Sequence, residues 1–273
     1  MRTIIAPVNF TPNSSNAARY AADMALAVQA DLHLLYVLQL PVSAAEFPLN
    51  DYVFNEMQGS GAEALKQLWE ELVKRTEAKV NIFVHMEIGA VEARIEEFCR
   101  EKKPFVVVMG ATGHSLETAL AGSNVAAALR RLPYPLIVVP ESANFKKIGK
   151  AVLACDLEDI SGGMPVKPTF LKELRDLFHA SFEVVNINTS RQARTTAAVM
   201  DSEAWKSCLE DAYPNVHVVE SDNVELGIGQ YLFEHGADML IVFPKKHNFF
   251  SFHKSHAKRL ALNGSVPIMS IHA

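Results

Sequence analysis

The chain has 273 residues, between one large domain and two small ones at roughly 150 residues per domain, and each half is long enough for its own core. Its composition, 49% hydrophobic and 21% charged, is that of an ordinary globular protein, and a net charge of −5 gives no electrostatic basis for binding nucleic acid or an anionic membrane. The start of the chain lacks a signal-peptide pattern, no window approaches the roughly 18 apolar residues of a membrane span, and Cys99, Cys155 and Cys208 lie too far apart for a disulfide framework or a zinc ribbon, so a cytoplasmic protein with reduced thiols is expected.

Taken in chain order, Thr3 to Asn9 (TIIAPVN) predicts a short buried strand ending in a turn. Ser14 to Gln29 follows as a helix with an apolar stripe of Ala18, Ala21, Ala22, Ala25 and Val28. Leu32 to Val37 predicts the second strand. The stretch Pro41 to Gly61, rich in prolines, glycines and serines, reads as an inserted loop. A helix then opens at Val91-Glu92 and runs through Arg100, followed by strands at Phe105 to Met109 and Pro135 to Pro140.

The same order returns in the second half. Lys150 to Asp156 matches the first strand and Phe182 to Ile187 the second; Val224-Glu225 opens a helix through His235, and Met239 to Val242 and Pro267 to Ile271 close the series. Apolar strands without alternation, interleaved with helices, call for a parallel sheet covered on both faces. The predicted fold class is therefore α/β: two tandem doubly wound domains, each with a five-stranded parallel sheet, spanning 1–144 and 145–273.

Ligands of open parallel sheets bind beyond the carboxyl ends of the strands, which directs attention to the turns after Asn9, Val37 and Met109. Gly110, Gly113 and Gly122 suit close approach of backbone N–H groups to a phosphate, and Ser123 opens a helix, Asn124 to Arg131, whose N-terminus favours negative charge. The competing structural reading is a tight turn at Gly110 and Gly113 with Ser123 as a plain N-cap. No Gly-Lys-Ser/Thr follows, so this is not a P-loop. His253 and His256 have a ligand-like spacing, but no cysteine or carboxylate accompanies them, and no metal is expected. Glu117 and Asp159 are isolated acids, and neither a nucleophile elbow nor a paired acid and base is present, so no enzyme is expected beyond a weak ATPase at most.

Taken together, TIIAPVNFTPNS, VVVMGATGHS, GSNVAAALRRLPYPLIVVP and the end HKSHAKRL…VPIMSIHA resemble the universal stress proteins in their tandem two-domain form, along the whole chain. The resemblance implies the adenine-nucleotide alpha-hydrolase-like fold. It also implies a site for ATP or another adenine nucleotide in the first domain, with Asn9 and Val37 around the base and Gly110, Gly113, Gly122, Ser123 and Asn124 around ribose and phosphates. The glycine pattern is one residue shorter than in ATP-binding members, and Asn9 stands where they usually carry an aspartate.

In the second domain, Asp156 holds the aspartate position, but Phe243 and Lys246 replace the first two glycines and Lys254-Ser255 replaces Gly122-Ser123, so that copy is degenerate. The basic, aromatic run His247 to His256 is a candidate docking loop for a protein partner. The implied function is a stress-response regulator that binds adenine nucleotide; the alternative is a nucleotide-free interaction module acting through partner docking. The resemblance further implies antiparallel pairing of Pro135–Pro140 with Pro267–Ile271, an intrachain pseudo-dimer, with a homodimer of such chains left open.

Overall fold

A computed structural model describes residues 1–39, 51–111, 123–155, 168–188, 215–243 and 266–271. The described residues up to Phe145 form one compact unit and those from Lys146 another.

In the first unit the elements are β1 (Thr3–Val8), α1 (Pro12–Val28), β2 (Asp31–Leu38), α2 (Asp51–Arg75), β3 (Ile82–Ile88), α3 (Val91–Lys102), β4 (Val106–Gly110), α4 (Ser123–Arg131) and β5 (Leu136–Val139). The strands lie in the order β3-β2-β1-β4-β5 and every pair is parallel. β1 is therefore the point where the chain reverses its direction across the sheet: β2 and β3 extend one way, β4 and β5 the other. The central strands have no polar face. Ile4, Ile5, Ala6, Val106, Val107, Val108 and all of β5 are buried, as a sheet covered on both sides requires.

The second unit repeats the pattern with β6 (Lys150–Ala154), α5 (Pro168–Phe178), β7 (Ser181–Asn188), β8 (Asn215–Glu220), α6 (Val224–His235), β9 (Met239–Val242) and β10 (Ile268–Ser270). Its parallel strands run β10-β9-β6-β7-β8. α6 settles closely on β7 at Gly227, where a Cβ would lie 2.9 Å from two carbons of Ile187.

One expectation fails. Residues 51–61 are not loop but the first turns of α2, a 25-residue helix that buries Gly61, Leu65, Leu68 and Leu72 on one face. Gly59, Ser60 and Gly61 look like helix breakers in sequence. Gly61 instead admits the ring of Tyr36, whose Cε1 occupies the space a Cβ would take. The glycine's propensity cost, about 1 kcal/mol against alanine, is offset by packing that ring against the helix. α2 is tied to α1 by two forked ion pairs, Arg19 with Glu71 and Arg75 with Asp23. Both are half-exposed, so each orients the helices while contributing about 1 kcal/mol or less.

Candidate functional site

The segment NFTPNSSN, residues 9–16, is a small machine for stopping a strand and starting a helix. Thr11 is the N-cap of α1: its backbone is extended and its hydroxyl accepts from Ser14 N, while Pro12 occupies the first helical position. Asn9 Oδ1 accepts from both Thr11 N and Thr11 Oγ1, at 3.3 and 2.7 Å, forming an Asx turn. Phe10 sits between them in the left-handed region with φ 61°, a strained state for an aromatic residue, and its ring rests 4.8 Å from that of Tyr36. Asn13 Nδ2 donates to Ala111 O at 2.7 Å, and Asn16 Nδ2 donates to Pro140 O and Ala143 O. These bonds fix α1 to the chain that follows β4 and to the chain that follows β5.

Beyond the ends of β1, β2 and β4 lies a cavity of about 560 Å³, at the chain-reversal point of the sheet. Its apolar wall includes Leu35, Val37, Met57, Val91, Ile95 and Met109; its polar rim is Asn9, Thr11, Asn13, Ser14, Gln39 and Asn124. Val37 reaches the cavity because the β1–β2 ladder stops at Val8↔Tyr36 while β2–β3 continues to Leu38↔Ile88. No described residue of the lining carries a formal charge. The first turns of α1 and α4 both border the cavity, and neither contains an acidic residue. The positive dipole ends of two helices, with no acidic side chain in either first turn, favour an anionic group on the rim.

Of the residues predicted from sequence, Asn9, Val37, Gly110 and Asn124 are brought together around this one cavity. Gly113 and Gly122 lie outside the described residues, as do Lys246, Lys254 and the run His247 to His256. Ser123 begins α4, one residue earlier than expected. Phe243 follows directly on β9 and is half-buried.

Two of these residues also have local structural roles. Gly110 has a structural reason to be glycine that involves no ligand: a Cβ would overlap the carbonyl of Asn13 and come within 3.0 Å of Ser14 N. Asn9 commits its carbonyl oxygen to the turn, and its amide nitrogen meets no acceptor among the described residues. Sequence reasoning missed Thr11, Asn13, Ser14 and Asn16. The Thr-Pro pair at a strand end, followed by four small polar residues ahead of an alanine stripe, is the capping signal that would have found them.

Residues 1–140 match the family model described as "Universal stress protein family". The chain belongs to the universal stress protein family. Universal stress protein G of Escherichia coli O157:H7 is 30% identical over 142 residues, which are 50% of this chain and 98% of that protein. A universal stress protein of Methanocaldococcus jannaschii is 28% identical over 147 residues, 50% of this chain and 81% of that one. Among solved structures, a universal stress protein from Archaeoglobus fulgidus DSM 4304 superposes with a TM-score of 0.70 at 14% identity, covering 99% of this chain and 98% of that chain. The universal stress protein fold, α/β with parallel sheets, thus extends over both units. No helix among the described residues is long and apolar enough to cross a membrane, and no group of three or more His, Cys, Asp or Glu among them is placed to hold a metal ion.

Proposed function

We propose that the first unit binds an adenine nucleotide, with the base against the Val37 wall and the phosphates at the first turns of α1 and α4, and that the protein acts as a nucleotide-responsive regulator rather than a catalyst. The observation that carries this reading is the 560 Å³ cavity at the chain-reversal point, apolar inside and rimmed by neutral amides, hydroxyls and two helix N-termini. That volume lies within the usual range for small-molecule sites, roughly 300–1,000 Å³, and the position is where open α/β sheets take ligands. The described lining brings amides and hydroxyls but no charged side chain, which supports binding over turnover.

The test is to denature the purified protein, chromatograph the released small molecules, and titrate ATP by calorimetry into wild type and Asn124→Trp. The indole would fill the mouth of the cavity from α4 without touching the core of the sheet. Binding by wild type, weakened at least tenfold in the variant, supports the reading. No released nucleotide and no heat at millimolar ATP overturn it.

A further inference from the structure

A cluster of titratable groups lies under α3 at Phe98, one turn along the helix from Ile95, which borders the cavity. His33 on β2 and His85 on β3 face each other, with His33 Nδ1 and His85 Nε2 2.9 Å apart and the rings nearly parallel at 12°. Phe98 of α3 packs on both, at 4.7 Å from His85 and 6.2 Å from His33, and Phe83 stacks on His33 at 4.8 Å. The Lys102 ammonium sits 5.5 Å from the centre of the Phe98 ring. The same helix contributes Val91 and Ile95 to the cavity wall.

We propose that the His33–His85 pair is a proton-operated latch on α3, seating the helix when neutral and releasing it, together with the Val91–Ile95 wall, when charged. The geometry sets the rule. Two facing ring nitrogens at 2.9 Å hold one proton between them, donated by one ring to the lone pair of the other. A further proton must go to an outward-facing nitrogen, and the pair then carries a positive charge among Phe83, Phe98 and the Lys102 ammonium. A second added proton places N–H against N–H, and the bond between the rings breaks.

The carboxylates around the pair do not outweigh this: Asp31 of β2 favours a charged His33, and Glu101 of α3, paired with Lys102, and Glu87 of β3 favour a charged His85, but burial and Lys102 prevail at both rings, and β1 brings no charge. Cys99 on α3 stays a neutral thiol, pushed up to about 12 by burial. Burial first, then the positive charges of His85 and Lys102, holds His33 below its ordinary value; burial and Lys102 do the same to His85. The unfolded or released histidines titrate near 6.5, so below about pH 6.5 the released helix binds protons that the seated helix refuses, and acid favours release.

The second unit provides the contrast. His217 occupies the place of His85, opposite the fifth residue of its neighbouring strand, and Tyr231 and His235 stand where Phe98 and Lys102 stand. The place of His33 is taken by Glu183, which accepts from Tyr231 Oη at 2.6 Å and from Lys150 Nζ at 2.7 Å. That cluster is held by a charge pair, and the equivalent helix α6 has no imidazole–imidazole bond to lose.

The test is amide hydrogen exchange on the full chain between pH 7 and pH 5, corrected for intrinsic exchange, with α1 as the internal reference because it borders the same cavity without touching the pair. Protection of 91–102 should fall about tenfold or more on acidification while α1 changes little, and His33→Phe should flatten the α3 profile to within twofold. His85→Phe serves as the second variant should the first fold poorly. Imidazole ¹⁵N shifts of the wild type give a reading that needs no variant: both rings should titrate below 6.5. Equal loss of protection in α3 and α1, an unchanged α3 profile in a folded variant, or either ring titrating above 6.5 would overturn the latch.

Discussion

Gly110→Ala separates a structural glycine from a ligand-contacting one. The new methyl would lie 2.6 Å from Asn13 C and 3.0 Å from Ser14 N, and overlap the Asn13 carbonyl, all of it backbone that no rotamer change can clear. The first turn of α1 must therefore move off β4. Overpacking of this kind costs about 1–3 kcal/mol, and the shift strains the Asn13 Nδ2–Ala111 O bond, adding about 0.5–1.5 kcal/mol. We expect a loss of about 2–4 kcal/mol, or about 5–12 °C in Tm for a protein unit of this size. Urea denaturation followed by Trp69 fluorescence in a Trp205→Phe background reads the first unit alone, since the chain has 2 tryptophans. A change below about 0.5 kcal/mol, in the absence of ligand, would show that the glycine is not required by the packing of β4 on α1.

Thr11→Ala removes the α1 cap and should cost about 1 kcal/mol in the same urea assay. Asn16→Ala releases Pro140 O and Ala143 O at once and should cost about 1–3 kcal/mol, with faster amide exchange in 141–143 as its local signature. In the second unit the Glu183 carboxylate is lowered overall: burial works to raise it, and the bonds from Lys150 and Tyr231 prevail. A lowered carboxylate stabilises the fold above the ordinary glutamate value, near 4.3, and that stability is lost as pH falls through the lower folded value. Glu183→Gln should therefore flatten the acid limb of the second unit's stability profile, measured by exchange of α6 amides.

Much of this architecture is legible in the chain because its strands are short apolar runs and its helices carry strong 3.6-residue stripes. Val224–His235 and Met239–Val242 are bounded as the pattern predicts. α2 escaped because Gly59 and Gly61 signal a break, and only the Tyr36 ring on a neighbouring strand explains a glycine inside the helix. Asn9, Val37 and Gly110 could be placed near one another from strand ends, since topology brings strand ends together, whereas Asn124 came from the family resemblance. The role of Gly110 against Asn13 could not, because a clash between residues so distant in sequence has no local signature. The scattered histidines likewise gave no sign that His33 and His85, on adjacent strands, would meet.

The central claim is that the cavity beyond β1, β2 and β4 takes an adenine nucleotide. Amide chemical shifts recorded during an ATP titration of the full chain test it most directly. The account predicts saturable shifts at Asn9, Thr11, Asn13, Ser14, Val37, Gly110, Asn124 and Val125, with the amides of β6 to β10 unmoved. Shifts confined to the second unit, or none at millimolar ATP, would contradict it.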